Sequence, residues 1–575
     1  MGDHKPMQVK CLKPEDAWEL FKNKVGDNTL RSDPVIVELA REVAQKCRGL
    51  PLALNVIGET MASKTMVQEW EHARDVLTRS AAEFSDMENK ILPILKYSYD
   101  SLGDEHIKSC FIYCALFPED YFIDNETLID YWICEGFIGE DQVLKRARNK
   151  GYAMLGTLIR ANLLTKVRTR LVVMHDVVRE MALWIASDFR KQKENYVVQA
   201  RVGLHEIPKV KDWGAVRRMS LMMNEIEEIT CESKCSELTT LFLQSNQLKN
   251  LSGEFIRYMQ KLVVLDLSYN RDFNKLPEQI SGLVSLQYLD LSCTSIEQLP
   301  VGLKELKKLT FLNLAFTERL CSISGISRLL SLRLLRLLGS KVHGDASVLK
   351  ELQQLENLQD LGITLSMELI SLDQRLAKSI SNLSIEGFLQ KPFDLSFLAS
   401  MENLSLLWVE INTDIKCRES ETESSYLHIN PKIPCFTNLS RLDITKCHSM
   451  KDLTWILFAP NLVNLDIRDS REVGEIINKE KATNLTSITP FQKLERLILL
   501  DLPKLESIYS SPLPFPLLLT MSVRDCPKLR KLPLNATSVP KVEEFKIRMY
   551  PPGLGYELEW EDEDTKNRFL PSIKP

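Results

Sequence analysis

An α+β multidomain chain is predicted by three observations on the 575 residues. The pattern LxxLxL returns through the C-terminal part of the chain, the first two hundred residues show helical periodicity punctuated by Pro and Gly, and two short β-rich runs, NLLTKV and LVVMHD, follow three helical segments. Together they predict a helical bundle over 1–88, a winged-helix domain over 89–200 and, over 201–575, a leucine-rich-repeat solenoid of about 14 repeats on a curved parallel β-sheet.

The bundle comes first. Pro14 suits a first helical turn, and Glu15 and Asp16 complement the positive end of its dipole. Ala17, Trp18, Phe21 and Val25 then make one apolar stripe, and Gly26 stops the helix. Asp33-Pro34 reads as cap and first-turn residue of a second helix ending near Gly49. Leu50-Pro51 restarts a helix through Leu54 and Ile57, and a further one holds Trp70, Ala73 and Leu77.

From Ile91 the pattern changes. Cys110, Phe111, Cys114 and Phe117 share a face until Pro118 breaks it; Leu128, Ile129, Trp132 and Phe137 form another helix, and Ala153, Leu155, Leu158 and Ile159 a third. The two β-rich runs are separated by Arg168-Thr169-Arg170, a hairpin signal. Three helices then a hairpin is the order of a winged helix, but no basic recognition helix accompanies it, which argues against nucleic acid as a partner.

The repeats carry the rest. Leu238, Leu241, Leu243, Asn246 and Leu248 match LxxLxLxxNxL at every position, and the second leucine recurs at 241, 265, 289, 312 and 335, in steps of 24, 24, 23 and 23. An earlier copy sits at Met219, and looser copies run on to Val542/Phe545/Ile547. Alternation buries one strand face, and no repeat can cover that face alone. Steps of 35 (407 to 442) and 32 (465 to 497) mark insertions, the first containing CRESETESSY, expected as a surface loop. The outward strand positions are read as a protein-recognition face, on which Phe242, Tyr288, Phe311, Arg333, Arg336, Trp408, Arg441, Arg468 and Arg496 are the candidate partner-binding residues.

Composition excludes several classes. The hydrophobic share of 44% and charged share of 26% are those of ordinary globular protein. A net charge of −5 does not suit binding to nucleic acid through charge. The 13 cysteines lack zinc spacing; Cys231 and Cys235 have no second pair, so reduced thiols and a cytoplasmic setting are expected, with no metal site and no transmembrane segment. Gly2 does not make a myristoylation signal, because Pro6 stands where Ser or Thr is needed. Val263-Val264-Leu265-Asp266 imitates the magnesium-holding strand of P-loop ATPases, yet it lies inside a repeat and no GxxxxGK[ST] occurs in the chain. The sequons at Asn403 and Asn438 arise because Asn-Leu opens many repeats.

Gly49-Leu50-Pro51-Leu52-Ala53-Leu54, then Cys110-Phe111-Ile112-Tyr113-Cys114-Ala115-Leu116-Phe117-Pro118, then Met174-His175-Asp176, then leucine-rich repeats: in this order the motifs resemble the plant intracellular immune receptors of the nucleotide-binding (NB-ARC), leucine-rich-repeat class, coiled-coil subclass. The resemblance runs from Gln8-Val9-Lys10-Cys11-Leu12 to the C-terminal tail. It implies a non-catalytic disease resistance receptor whose repeats recognise a pathogen effector or a guarded host protein and contact the NB-ARC subdomains within the chain. It implies an ADP/ATP-dependent switch in the intact family, with Pro51 near the adenine, His175 against the ADP phosphate and Asp176 supporting His175. The family's coiled coil and P-loop domain have no counterpart here. The chain is therefore expected to be N-terminally truncated and to bind no nucleotide itself, with oligomers formed only by the full-length receptor and any plasma-membrane association made through the missing regions or partners. The competing expectation is a leucine-rich-repeat adaptor or regulatory decoy that binds no nucleotide.

Overall fold

The computed structural model describes residues 12–47, 49, 51–79, 92–139, 141–168, 170–187, 195–230, 234–366, 372–387, 398, 400–411, 436–448, 450–482, 489–550 and 558–574. Gln8 to Cys11, Leu50, Thr169, Cys231 and the 417–426 insertion lie outside the described residues, as do the side chains of Leu52 and Leu77. The chain divides into two compact units: residues 1–266 with 285–288, and residues 267–284 with 289–575.

The first unit opens with five helices, α1 (Pro14–Val25), α2 (Asp27–Leu30), α3 (Pro34–Lys46), α4 (Pro51–Met61) and α5 (Val67–Arg79). Ala17, Phe21 and Val25 of α1 are buried, and Gly26 at φ 86° ends it. Trp18 stays half-buried with the Arg41 guanidinium 4.5 Å from its ring centre, so it belongs to a cation–π pair at the edge of the core. Asp33 caps α3 by accepting from the Val35 amide at 2.8 Å. Gly58 lets α4 approach α1 closely: a Cβ there would meet the Lys24 Cβ at 2.7 Å. Trp70 is fully buried and donates to the Lys64 carbonyl at 2.8 Å.

The winged-helix region holds α6 (Leu92–Asp100), α7 (Glu105–Cys114), α8 (Asn125–Cys134), α9 (Leu144–Arg160) and α10 (Asp176–Ala186), with strands β1 (Ile123–Asp124), β2 (Thr165–Arg168) and β3 (Leu171–Val173). β2 and β3 form the expected hairpin, and β1 adds a third antiparallel strand to it, too short to show as a β-rich run in the sequence. Asp124 ends β1 and caps α8, accepting from the Glu126 and Thr127 amides at 3.0 Å. Cys110, Phe111, Cys114 and Phe117 are all buried, as the shared face required. The α9 stripe differs from expectation. Leu144, Ala147, Gly151, Leu155 and Leu158 face the core and Ala153 is exposed, because Gly151 is the point of closest approach to Ile129 of α8.

Parallel strands follow. In the first unit β4 (Tyr196–Val198), β5 (Arg218–Ser220), β7 (Thr240–Phe242) and β9 (Val264–Asp266) pair in that order, while β6 (Glu228–Ile229) and β8 (Asn250–Leu251) make a separate two-stranded pair. β10 (Tyr288–Asp290) begins at the division between the units. In the second unit the ladder runs in chain order through β11 (Phe311–Asn313), β12 (Leu334–Arg336), β13 (Asp360–Ser366), β14 (Ile380–Gly387), β15 (Leu406–Ile411), β16 (Arg441–Thr445), β17 (Asn464–Arg468), β18 (Arg496–Leu500), β19 (Thr520–Arg524), β20 (Lys546–Tyr550) and β21 (Ile573–Lys574). Leu241, Leu265, Leu289, Leu312 and Leu335 are buried to 1% exposure or less, which fixes the inward face.

Two features of the repeats come only from the structure. Asn246 donates to the Leu221 and Leu243 carbonyls at 2.9 Å, tying one repeat to the one before it. Thr294, Thr317 and Ser340 each donate to one carbonyl at the equivalent place in later repeats. The residue before each of these is left-handed: Met223, Ser245, Tyr269, Cys293 and Phe316 have φ of 56–60°, and Gly339 follows at 70°. The asparagines that open repeats are structural too. Asn403 donates to the Lys378 carbonyl at 2.8 Å and Asn438 to the Glu402 carbonyl at 2.6 Å, which accounts for both sequons. The last repeat is shifted by two residues from its expected register, since Ile547 rather than Phe545 pairs with Met521. Burial pushes the Cys47 thiol up to about 12 and Cys526 up to about 11, as befits core-packing cysteines.

Candidate functional site: winged helix and outward strand faces

The outward face of the first repeats does not meet solvent. Phe242 is fully buried and Tyr288 is 5% exposed. Their cover is the winged-helix region: ring centres of Tyr131 lie 5.0 Å from Phe242 and 4.7 Å from Tyr288, and Tyr113 and Phe117 lie 6.0 and 5.6 Å from Phe242. The Tyr131 hydroxyl donates to Asp266 Oδ2 at 2.6 Å, so the acid of the ATPase-like strand is held by a tyrosine. Thr240 and Val264 on the same face are also fully buried.

Beside the rings is an ion pair. Arg218 donates to Glu135 at 2.5 Å and to the Tyr196 hydroxyl at 2.5 Å, and Thr240 donates to the other Glu135 oxygen. The Arg218 guanidinium also lies 5.3–5.5 Å from the ring centres of Tyr113, Phe137 and Tyr196. Burial opposes its charge, but Tyr196 and Glu135 outweigh that and hold the guanidinium protonated. The Tyr113 hydroxyl is pushed well above its ordinary value, first by burial and then by the Glu135 carboxylate, so it stays neutral. Periodicity and motif spacing mark none of Tyr113, Tyr131, Glu135 and Arg218 as a site residue. A carboxylate closing an apolar helix beside Trp132 was the available signal.

Three expected partner-binding residues are therefore corrected. Phe242 and Tyr288 point away from the solenoid core as the alternation demands, but that face is already occupied within the first unit. Phe311, in the second unit, is 1% exposed and equally closed to a partner. Arg333 needs a different correction. It precedes β12, and Leu334 takes the outward position paired with Phe311 and Asp360, so Arg333 lies one residue before the outward position while Leu335 keeps its expected inward register.

The remaining arginines stand outward in the second unit, though not equally free. Arg336 forms a two-pronged pair with Asp360 and also donates to Ser381 at 2.7 Å. Arg441 donates to Asp443 at 2.8 Å, and Arg468 to Asp466 at 2.8 and 2.6 Å. Trp408 is half-buried beside Asp443, its register partner on the next strand. Arg496 is exposed on the first position of β18, and no acidic partner holds it among the described residues.

At the other candidate site, Pro51 is the exposed first residue of α4. His175 is the cap of α10, its Nδ1 accepting from the Val177 amide at 3.3 Å, and Asp176 is the buried first residue of that helix. With Nδ1 accepting, the ring proton is assigned to Nε2, a donor of the kind a phosphate oxygen takes. Next on the helix, Arg179 is buried and donates to the Phe117 carbonyl at 2.7 Å, tying this turn to the end of the Cys110–Pro118 motif.

The fold and these surfaces define a leucine-rich-repeat scaffold that carries a winged helix. The model of a leucine-rich repeat region matches residues 215–556, and that of the disease resistance protein winged helix domain matches residues 116–182. The chain belongs to the plant disease resistance proteins with leucine-rich repeats. It is 86% identical over its whole length to "Disease resistance protein UNI" of Arabidopsis thaliana, covering 65% of that protein. It is 87% identical to "Probable disease resistance protein At1g61300" of the same plant, covering 76%, and 52% identical to "Disease resistance protein RPS5", covering 66%. The chain thus spans roughly two thirds of the length of these relatives. Among the described residues no helix is long and apolar enough to cross a membrane.

Proposed function

We propose that this chain is the recognition and gating part of an intracellular plant immune receptor. The open outward strands of the second unit recognise a pathogen effector or a guarded host protein. The winged helix, with Pro51, His175 and Asp176, belongs to an ADP/ATP-dependent switch in the intact receptor, and the chain itself turns over no nucleotide. When bound, ADP would supply a phosphate for the His175 Nε2 proton to meet, and Asp176 would hold the turn that aims it. The observation that carries this reading is the sealing of the first repeats' outward face by Tyr113, Phe117 and Tyr131. Such a seal ties the recognition solenoid to the switch domain, so that a change in one has a route to the other.

The test fuses the nucleotide-binding segment of a close relative in front of residue 1. Asp176→Val in the fused receptor should weaken the resting state and shift population toward the active one. Losing a charge-assisted bond worth about 1.5–3 kcal/mol is enough for a roughly ten- to hundredfold shift. Spontaneous cell death in leaf expression assays is the expected result. Silence of the fused variant at equal protein level, or cell death from the short chain alone, would remove His175 and Asp176 from the switch.

A further inference from the structure

At the end of the solenoid Arg496 belongs to a cluster of charge that faces outward. β20 alternates strictly: Lys546, Arg548 and Tyr550 are exposed while Ile547 and Met549 are buried. Pairing places Lys546 beside Thr520 and Thr520 beside Arg496, and in the adjoining row Arg548 beside Ser522 and Ser522 beside Ile498. With strands about 4.8 Å apart, Arg496 and Lys546 stand about 10 Å from each other across the Thr520 hydroxyl.

Other cations on this face have acids of their own. Lys446 is paired with Glu410 at 2.8 Å, Arg441 with Asp443 at 2.8 Å, Arg468 with Asp466 at 2.6 Å, and Arg524 with Asp501 at 3.2 Å. Arg496, Lys546 and Arg548 have none among the described residues, in a chain whose net charge is −5. Three uncompensated cations interleaved with two hydroxyls, and flanked by Ile498 and the 56% exposed Tyr550, form a surface short of anions. Such a surface attracts carboxylates at long range and gives them hydrogen-bond donors on arrival.

We propose that the outward face of β18–β20, centred on Arg496, Lys546 and Arg548, docks a segment of a partner protein rich in Asp and Glu. This rests on reading the solenoid as the recognition surface, and it narrows that reading to one place and one chemistry. Charge complementarity sets the occupant, and the paired arginines of β16 and β17 are excluded from it because their carboxylates are supplied from within.

The experiment uses the whole chain and a fluorescein-labelled ten-residue peptide of alternating Glu and Ser, with Gln-for-Glu and phosphoserine versions as further probes. The expected result is binding at least tenfold tighter for the Glu peptide than for the Gln peptide, weakening as salt rises. Arg496→Glu combined with Arg548→Glu should abolish it with an unchanged melting curve, while Arg524→Ala should change it less than threefold. Equal binding of the Glu and Gln peptides, or survival of binding in the double variant, would overturn the proposal. So would binding of the phosphoserine peptide alone, which would mark a phosphate site. Because none of these readouts uses nucleotide or cell death, the peptide result and the fused-receptor result fail independently.

Discussion

Buried charge on the solenoid face shows how one residue's surroundings set its energetics. Asp443 stands beside Trp408 and Asp466, and burial raises its carboxyl above the ordinary value, ahead of the opposing pull of Arg441. A carboxyl raised in the folded state holds its proton more tightly there than in the unfolded chain. The folded state is therefore penalised as pH climbs from the unfolded value through the folded one, and the full penalty is present at neutral pH. Asp443→Asn should raise the melting temperature at pH 7, and the gain should vanish below about pH 4, where both states are protonated. A variant that melted lower at pH 7 would mean that the Arg441 attraction outweighs the burial. The Glu135–Arg218 pair has the opposite sense. Arg218→Leu leaves a buried carboxylate held, among the described residues, by Thr240 alone, a change that costs about 3–5 kcal/mol and should show as a lower denaturant midpoint.

Elements in this chain are set by where side chains must not be. Gly151 in α9 faces Ile129, and a Cβ would stand 2.4 Å from the Ile129 Cγ2. Gly151→Ala should lower stability by about 1–3 kcal/mol in equilibrium unfolding, although alanine is the better helix former. The left-handed corners of the earlier repeats give the reverse case. Cys293 has φ 56°, where a side chain is strained and a β-branched one most of all. Cys293→Gly should melt at or above the parent, and Cys293→Val clearly below it; equal melting of the two would deny that the corner is strained. The leucine spacing made the strands legible. It could not reveal most of these corners, since Met223, Ser245, Tyr269, Cys293 and Phe316 occupy them and none advertises a positive φ as Gly339 does.

For the whole molecule, the sealing of the first repeats makes them one cooperative piece with the winged helix. A chain beginning at residue 201 would bare Phe242 and Tyr288, which are buried here under Phe117 and Tyr131. It should bind the dye ANS more strongly than the whole chain and aggregate at lower temperature. Equal dye binding would show that the cover adds nothing. The compact division falls inside the repeats, between residues 266 and 289.

The repeats, the hairpin, the helix caps and the inward leucines were legible because each follows from local periodicity or a single capping side chain. Asp33 before Pro34 and Leu241 at its 24-residue step need no distant neighbour to be understood. Which outward residues are open could not be read that way. Alternation says only that Phe242 and Arg496 each leave the solenoid core on its outward side; whether solvent, a tyrosine or a carboxylate waits there depends on what else folds beside them, near in sequence for the Asp443 and Asp466 partners of Arg441 and Arg468 and far for Tyr131 over Phe242. Tertiary packing decided it, placing Tyr131 over Phe242, Asp360 on Arg336 and, among the described residues, no acid paired with Arg496. A periodic pattern encodes direction, while exposure is a property of everything else that folds into the space that direction points to.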